Sequence, residues 1–142
     1  MPEIRSFHPR LVVEGGDAAL DFYTAALGAE ITERYTVDGR VVHAMLQVGP
    51  VRFAVKDADD ADPAPGSDGP PVILTLEVDD ADAVAERMLA AGARVVFPIA
   101  DHDYGDRGGR LADPFGHHWM IAARRLDLTP DEIQARLDAV TR

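Results

Sequence analysis

The sequence predicts an α+β protein in which two βαβββ modules form an open, cup-shaped barrel, followed by a C-terminal helix. The main observation is that the order of strand-like and helix-like segments in the first half restarts in the second half. The chain has 142 residues, of which 46% are hydrophobic, and this suits one domain with an ordinary core. One βαβββ unit leaves a sheet face uncovered, so two units can curl their sheets around a shared cleft. We expect that cleft to be the ligand site.

The first module is predicted to span residues 7–57. A β-branched run over residues 8–14 indicates a strand, and the two glycines that follow it end the strand. Asp17 is the expected N-cap of a helix that ends before Gly28, because Leu20, Tyr23 and Leu27 recur at helical spacing. Three more strands, separated by glycine-containing turns, are predicted at residues 31–37, 41–48 and 51–56.

The second module is predicted to span residues 72–124. It begins with a strand at 72–78 and continues with a helix capped by Asp79 or Asp80 and ended by Gly92. Placing Gly28 on Gly92 also aligns several alanines of the two helices, which supports an internal duplication. The remaining strands are predicted at 94–97, around 110–112 and at 117–122.

Two segments lie outside the modules within the same predicted domain of residues 1–142. Residues 58–71 are rich in aspartate, proline and glycine and have no apolar periodicity, which predicts a mobile acidic linker. Thr129, Pro130 and Glu132 form the pattern of an N-cap, an N1 proline and a capping box, so a helix is expected over residues 129–141.

The charge composition restricts the classes of partner. Asp and Glu number 25 against 14 Lys and Arg, giving a formal net charge of −11, which disfavours nucleic acid and acidic membrane surfaces. A cationic small molecule would be attracted, although many of the acids fall in the linker and at helix caps. The sequence has no cysteine, no apolar run of membrane-spanning length and no signal-peptide pattern, so we expect a cytoplasmic protein without disulfides.

Four segments resemble the vicinal oxygen chelate superfamily, which includes glyoxalases, bleomycin resistance proteins and extradiol dioxygenases. They are residues 17–23 (DAALDFY), 27–30 (LGAE), 104–107 (YGDR) and 113–119 (DPFGHHW). The PhnB-like branch is the most similar, and the resemblance extends from about residue 8 to residue 122. It implies paired βαβββ modules in a cup, a homodimer, and a divalent metal ion in the catalytic members.

The resemblance also implies where metal ligands would stand. His8 occupies the position of the first histidine ligand. The other three positions fall on residues that do not bind such ions, namely Phe53 or Ala54, Val72 or Ile73, and Met120. Because divalent ions usually need three or more protein donors, no metal is expected by the inherited geometry and no cofactor is expected.

Histidines offer two alternatives to that inherited site. Side-chain alternation from Met120 places His118 on the same strand face, so His118 could join His8 and His43 in a rearranged site for zinc, iron, manganese or nickel. His8 or His118 could also act as an acid–base catalyst without metal. The alternative interpretation is that these histidines pair across strands or face water.

Further side chains are candidates for contact with a ligand. Arg52 would be an anion anchor if it points inward, and Tyr104 with Arg107 could contact a ligand at the rim of the cup. Arg107 could instead pair with Asp106 or Asp113. The predicted ligand-binding residues are His43, Arg52, Phe53, Tyr104, Arg107, His118 and Met120.

These features predict a small-molecule-binding protein that holds an aromatic or cationic ligand in a dimeric cup, conferring resistance by sequestration. The alternative is an enzyme of the same superfamily, a lyase, isomerase or dioxygenase. The sequence alone does not identify the ligand.

Overall fold

A computed structural model describes residues 3–66 and 72–140. The chain divides into two compact units, and the second begins at Val72. The first unit also includes Phe115–His117 from later in the chain. Two parts of the predicted elements lie outside the described residues. They are residues 67–71 of the acidic linker and residue 141 of the C-terminal helix.

The first unit is a βαβββ module, as predicted. Its elements are β1 (Arg10–Val13), α1 (Gly16–Leu27), β2 (Glu30–Val37), β3 (Arg40–Val48) and β4 (Val51–Asp57). The sheet has the order β1-β4-β3-β2, with β1 parallel to β4 and the other pairs antiparallel. Asp38 and Gly39 both have positive φ, 52° and 77°, which is the backbone of the tight turn predicted there.

The second unit repeats this module and adds the C-terminal helix. Its elements are β5 (Ile73–Glu77), α2 (Ala81–Ala90), β6 (Arg94–Asp101), β7 (Asp106–Ala112), β8 (His118–Arg124) and α3 (Pro130–Val140). The sheet order β5-β8-β7-β6, with β5 parallel to β8, matches that of the first unit. The α+β class and the paired βαβββ modules are therefore confirmed. None of the helices in the described ranges is long and apolar enough to cross a membrane.

Two of the three predicted helix starts are confirmed. The Asp80 carboxylate accepts a hydrogen bond from the Ala83 N–H at 3.0 Å, and Thr129 and Glu132 exchange the two 3.2 Å bonds of a capping box.

The prediction that Asp17 caps α1 is wrong, because α1 begins one residue earlier and its N-cap is Gly15 in a left-handed conformation. The Asp57 carboxylate at the end of β4 does the capping instead. It accepts 2.7 Å bonds from the N–H groups of Gly16 and Val41. A cap supplied by a distant strand leaves no local sequence pattern, and Asp17 is instead paired with Arg34.

The core of the first unit lies between α1 and its sheet. Tyr23 is fully buried, and its ring meets Phe53 edge-on at 5.3 Å between centroids. Phe115 packs against the rings of Phe22 and Tyr23. Since side chains alternate along a strand, Leu11, Leu46 and Val55 share the helix-covered face with Phe53.

The second unit has the same arrangement. Leu111, Trp119 and Ile121 are at most 4% exposed and share one face of the sheet, and Met88 of α2 is fully buried. We term the other face of each sheet its helix-free face. In the first sheet it carries Arg10, Glu33, Tyr35, His43, Met45, Arg52, Ala54 and Lys56; in the second it carries Phe97, Asp106, Gly108, Arg110, His118, Met120 and Ala122.

The described part of the acidic linker is organised around Lys56, whose side chain is 8% exposed. Its ammonium group donates to Asp59 at 2.8 Å and to Asp62 at 2.6 Å. These bonds raise the pKa of Lys56, and the same contact lowers the pKa of Asp59. A buried cation of β4 thus binds two carboxylates of the linker.

Candidate functional site

On the helix-free face of the first sheet, His43 is held from both sides of its ring. Arg10 lies 2.7 Å from Nδ1, and Glu33 lies 3.5 Å from Nε2. Because a guanidinium only donates, Nδ1 must accept, and the ring proton of a neutral His43 sits on Nε2, facing the Glu33 carboxylate. The Tyr35 ring stacks on the imidazole at 6.1 Å. This geometry matches the cross-strand pairing considered for His43, because neither ring nitrogen is left to bind a metal.

Two other predicted residues of the first unit lie on opposite faces of β4. Arg52 is exposed on the helix-free face, where its guanidinium is 3.3 Å from the Ser6 hydroxyl. Phe53 points the other way and packs under α1, so the expectation that it lines a ligand site is contradicted by its placement. Consecutive residues of a strand face opposite sides of the sheet. Arg52 and Phe53 therefore could not both line a ligand site on the same face.

His8 precedes β1 and is exposed. Its Nδ1 forms a 3.1 Å hydrogen bond with the Ser6 hydroxyl. The exposed setting agrees with the alternative interpretation of His8 as a strand-start residue facing water.

His118 and Met120 lie on the helix-free face of the second sheet, as the alternation predicts, and both are half-buried. Met120 pairs in register with Arg110 of β7. A cavity of about 140 Å³ opens on this face and on the turn between β6 and β7. We term it the Arg110 cavity; its lining includes Phe97, His102, Tyr104, Asp106, Arg110 and Met120.

Arg110 is one of the residues of this site that the sequence patterns did not reveal. Its Cζ stands 5.4 Å from the centroid of the Phe97 ring, in a cation–π contact. Its Nε is buried and has no hydrogen-bond partner among the described residues. A buried N–H of a charged group without an acceptor is costly, so this N–H is open to an oxygen acceptor, from water or from a ligand. A sequence signal for Arg110 does exist. If residue 112 is paired with residue 118 across the DPFGH turn, Arg110 lies opposite Met120.

Tyr104 and His102 form one wall of the Arg110 cavity. Their rings stack at 5.0 Å with an angle of 4°, and His102 Nε2 donates to the Gly108 carbonyl at 2.9 Å. Burial, with the nearby Asp106 carboxylate, raises the pKa of Tyr104, so its hydroxyl stays protonated and can donate a hydrogen bond at neutral pH. His102 is therefore part of the wall of the cavity.

Arg107 is held on the other face of the second sheet. It forms a two-bond fork to Asp82 of α2, at 2.8 and 3.0 Å, and a 3.3 Å contact with Asp101. The pairing expected for Arg107, with Asp106 or Asp113, differs from these bonds, whereas its contact with a ligand stays a prediction. The Asp82 position is 25 residues away, and no local pattern reveals it.

Two glycines of β7 that line the Arg110 cavity lie very close to neighbouring backbones. A Cβ on Gly108 would stand 2.2 Å from the Ile121 carbonyl oxygen, and one on Gly109 would stand 2.6 Å from that of Phe97. Both residues lie within β7, which begins earlier than the strand predicted around residues 110–112, and glycine permits close approach of neighbouring backbones there.

A second depression, of about 610 Å³, lies in the first unit beside the acidic linker. Its arginine, Arg40, already donates to the Ala58 carbonyl at 2.5 Å, and Asp59, which also lines it, is bound to Lys56. Two of the charged side chains at this depression, Arg40 and Asp59, are thus already engaged in bonds within the protein.

The residues do not fit the divalent metal site that the resemblance implies. Ala54 and Met120 are on helix-free faces, where a ligand would have to be, but neither side chain offers a suitable donor. Within residues 3–66 and 72–140, no three or more His, Asp or Glu side chains are grouped so as to hold a metal ion. The His8, His43 and His118 triad is not among such groups.

The family model described as the Glyoxalase/Bleomycin resistance protein/Dioxygenase superfamily matches residues 5–121. The chain belongs to this superfamily. The match covers both βαβββ modules up to the middle of β8. The PhnB-like branch stays a prediction.

Relatives of known sequence and structure agree with this membership. The protein Rv0887c of Mycobacterium tuberculosis is 39% identical over 140 residues, covering 92% of this chain and 81% of its own. The crystal structure of TioX from Micromonospora sp. ML1 is 27% identical with a TM-score of 0.67, covering 85% of this chain and 99% of that one. The fosfomycin resistance protein FosX from Listeria monocytogenes, solved as a point mutant with Mn(II) and a dihydroxypropylphosphonic acid, shares the fold at 15% identity and a TM-score of 0.70, covering 95% of this chain and 99% of its own.

Proposed function

We propose that this protein binds a small aromatic molecule on the helix-free face of its second sheet and acts by holding it. The observation that carries the proposal is the Arg110 cavity, in which Phe97 and Met120 offer apolar contact beside the polar groups of Tyr104 and Arg110. Apolar walls with a few convergent polar groups are the usual composition of a ligand site.

Of the two ligand classes predicted from the sequence, the aromatic class is the one the geometry favours. The guanidinium of Arg110 would repel a cationic ligand in the cavity. The acidic group among the lining residues that could attract such a ligand is Asp106. Resistance by sequestration is the biological role that we propose for such binding, because it needs affinity and no reaction.

Binding can be tested with a panel of single-ring aromatic compounds and aliphatic cations, detected by saturation-transfer NMR. We expect aromatic compounds to bind to the wild type and to lose binding in Ala122→Leu, whose larger side chain would fill part of the cavity. Arg52→Met, on the helix-free face of the first sheet, is the control and should bind normally. Binding of aliphatic cations alone would overturn the proposal.

We also propose that the protein is a homodimer. Superfamily membership supports this, and so do the exposed apolar side chains on the edge strands of both sheets, which are Ile31, Tyr35 and Val37 in β2 and Val95 and Phe97 in β6. Multi-angle light scattering after size exclusion should give a mass near twice the 15.3 kDa of one chain. A monomeric mass at micromolar concentration would contradict it. A cytoplasmic location stays a prediction.

The competing hypothesis is an enzyme that uses a rearranged His-based metal site or acid–base catalysis by His8 or His118. Metal analysis of protein purified without chelator, with and without His8→Ala, separates the two. Stoichiometric zinc, iron, manganese or nickel that is lost in the variant would favour the enzyme.

A further inference from the structure

We propose that the ligand of the Arg110 cavity is an anion, specifically a single-ring aromatic carboxylate whose carboxylate binds the Arg110 guanidinium. This inference rests on the proposed function, since it names the chemical class of the molecule bound there. It also reverses the expectation that the net charge of −11 gives for the ligand.

The first support is the hydrogen-bonding state of Arg110. The Phe97 ring covers one face of the guanidinium and offers no hydrogen-bond acceptor in its plane. The buried Nε–H has no partner among the described residues. Nε and one terminal nitrogen of an arginine form a fork that matches the two oxygens of a carboxylate. An anion bound there would supply the missing acceptor.

The second support is the size of the cavity. Its volume of about 140 Å³ is close to the roughly 150 Å³ cavity that accommodates one benzene molecule in an engineered protein core. One aromatic ring therefore fits the space between Phe97 and Met120, whereas a fused ring system would extend beyond it. The contact with Phe97 adds an aromatic surface for that ring.

The third support is the separation of charges along β7. Asp106 is four residues from Arg110 on the same face, which is about 13 Å along an extended strand. This spacing along the strand leaves room for a carboxylate to bind at the Arg110 end of the cavity, away from Asp106. The protonated Tyr104 hydroxyl beside Asp106 can donate to a polar substituent at the far end of the ring.

The test compares three probes that share a ring and differ in charge: benzoate, benzyl alcohol and benzylammonium. Binding is measured by isothermal titration at physiological ionic strength. We expect benzoate to bind at least about tenfold more tightly than the other two, because a hydrogen bond to a charged group contributes about 1.5–3 kcal/mol, which is a factor of roughly 10 to 100. Equal binding of the three probes overturns the inference and leaves the proposed function standing.

Variants of Arg110 locate the effect. Arg110→Met keeps the length of the side chain and should weaken benzoate by about 10- to 100-fold, and benzyl alcohol by much less. Arg124→Met removes a charge from an exposed position of β8 that does not line the cavity, and it should leave benzoate binding unchanged. Thermal melts confirm that both variants are folded.

The remaining outcomes also decide. If another aromatic compound binds but benzoate does not at millimolar concentration, the inference is wrong and the proposed function survives. If no aromatic compound binds, both fail. Equal weakening by Arg110→Met and Arg124→Met would show a general effect of net charge and would likewise overturn the assignment to Arg110.

Discussion

Neighbouring residues of β4 provide the sharpest test of the fold described for the first unit. Phe53 is 5% exposed and packs edge-on against the fully buried Tyr23, whereas Arg52 is exposed on the opposite face of the strand. We predict that Phe53→Ala strongly destabilises the protein and that Arg52→Met does not.

The size of the effect follows from the area that Phe53 buries. A buried phenylalanine removes about 150–250 Å² from water, which at about 25 cal/mol per Å² is an upper limit of about 4–6 kcal/mol. Measured losses for Phe→Ala in well-packed cores are about 3–5 kcal/mol. For a chain of this length, we expect the melting temperature to fall by about 12–20 °C. Arg52→Met should remain within about 0.5 kcal/mol of the wild type.

Urea unfolding followed by far-UV circular dichroism measures both variants, and the free energies can be compared directly if the slopes with urea are equal. A loss below about 1 kcal/mol for Phe53→Ala would refute the placement of Phe53 in the core under α1. A large loss for Arg52→Met would refute the assignment of the two side chains to opposite faces.

Three further predictions concern the linker, β7 and the cap of α1. In Lys56→Met, the carboxylate of Asp59 loses the partner that lowers its pKa. In the wild type, the stabilisation from this ion pair is present above about pH 4 and is lost as the pH falls through the lowered pKa of Asp59. The melting temperature of the variant should therefore fall less than that of the wild type between about pH 5 and about pH 3. An identical acid dependence would contradict it. Gly109→Ala would bring a Cβ to 2.6 Å from a carbonyl oxygen of β6 and should cost about 1–3 kcal/mol in urea unfolding, and an unchanged midpoint would refute the close approach. Asp57→Ala removes the acceptor of two backbone N–H groups and should cost about 1–3 kcal/mol in the same assay, whereas Asp17→Ala, at the wrongly predicted cap, should cost less.

The fold could be predicted because its signals are local. Strand alternation, the glycine ends of the helices and the capping box at Thr129 each depend on residues close together in the chain. What the sequence could not show is contact between distant residues. The cap from Asp57 to Gly16 and the fork from Arg107 to Asp82 join different elements, and each replaced a nearer partner that local patterns favoured.

The candidate site was predicted in part for the same reason. His118 and Met120 follow from alternation along one strand, so they were placed on the correct face. Arg110 depends on the register between β7 and β8, and its strand was predicted only around residues 110–112. In the structure, Ala112 pairs with His118 across the turn between β7 and β8. In an antiparallel pair, this register places Arg110 opposite Met120.

The pairing of Arg110 with Met120 also bears on what replaces the inherited metal chemistry. The resemblance places the final metal ligand at Met120, where a thioether stands in place of a carboxylate. Arg110 pairs in register with Met120 and carries a guanidinium on the helix-free face. This group is always positively charged, whether or not a metal ion is bound. An anionic ligand therefore keeps a positive group to bind although the carboxylate that would hold a metal is lost. The guanidinium proposed to bind the anion would orient it through two parallel N–H donors.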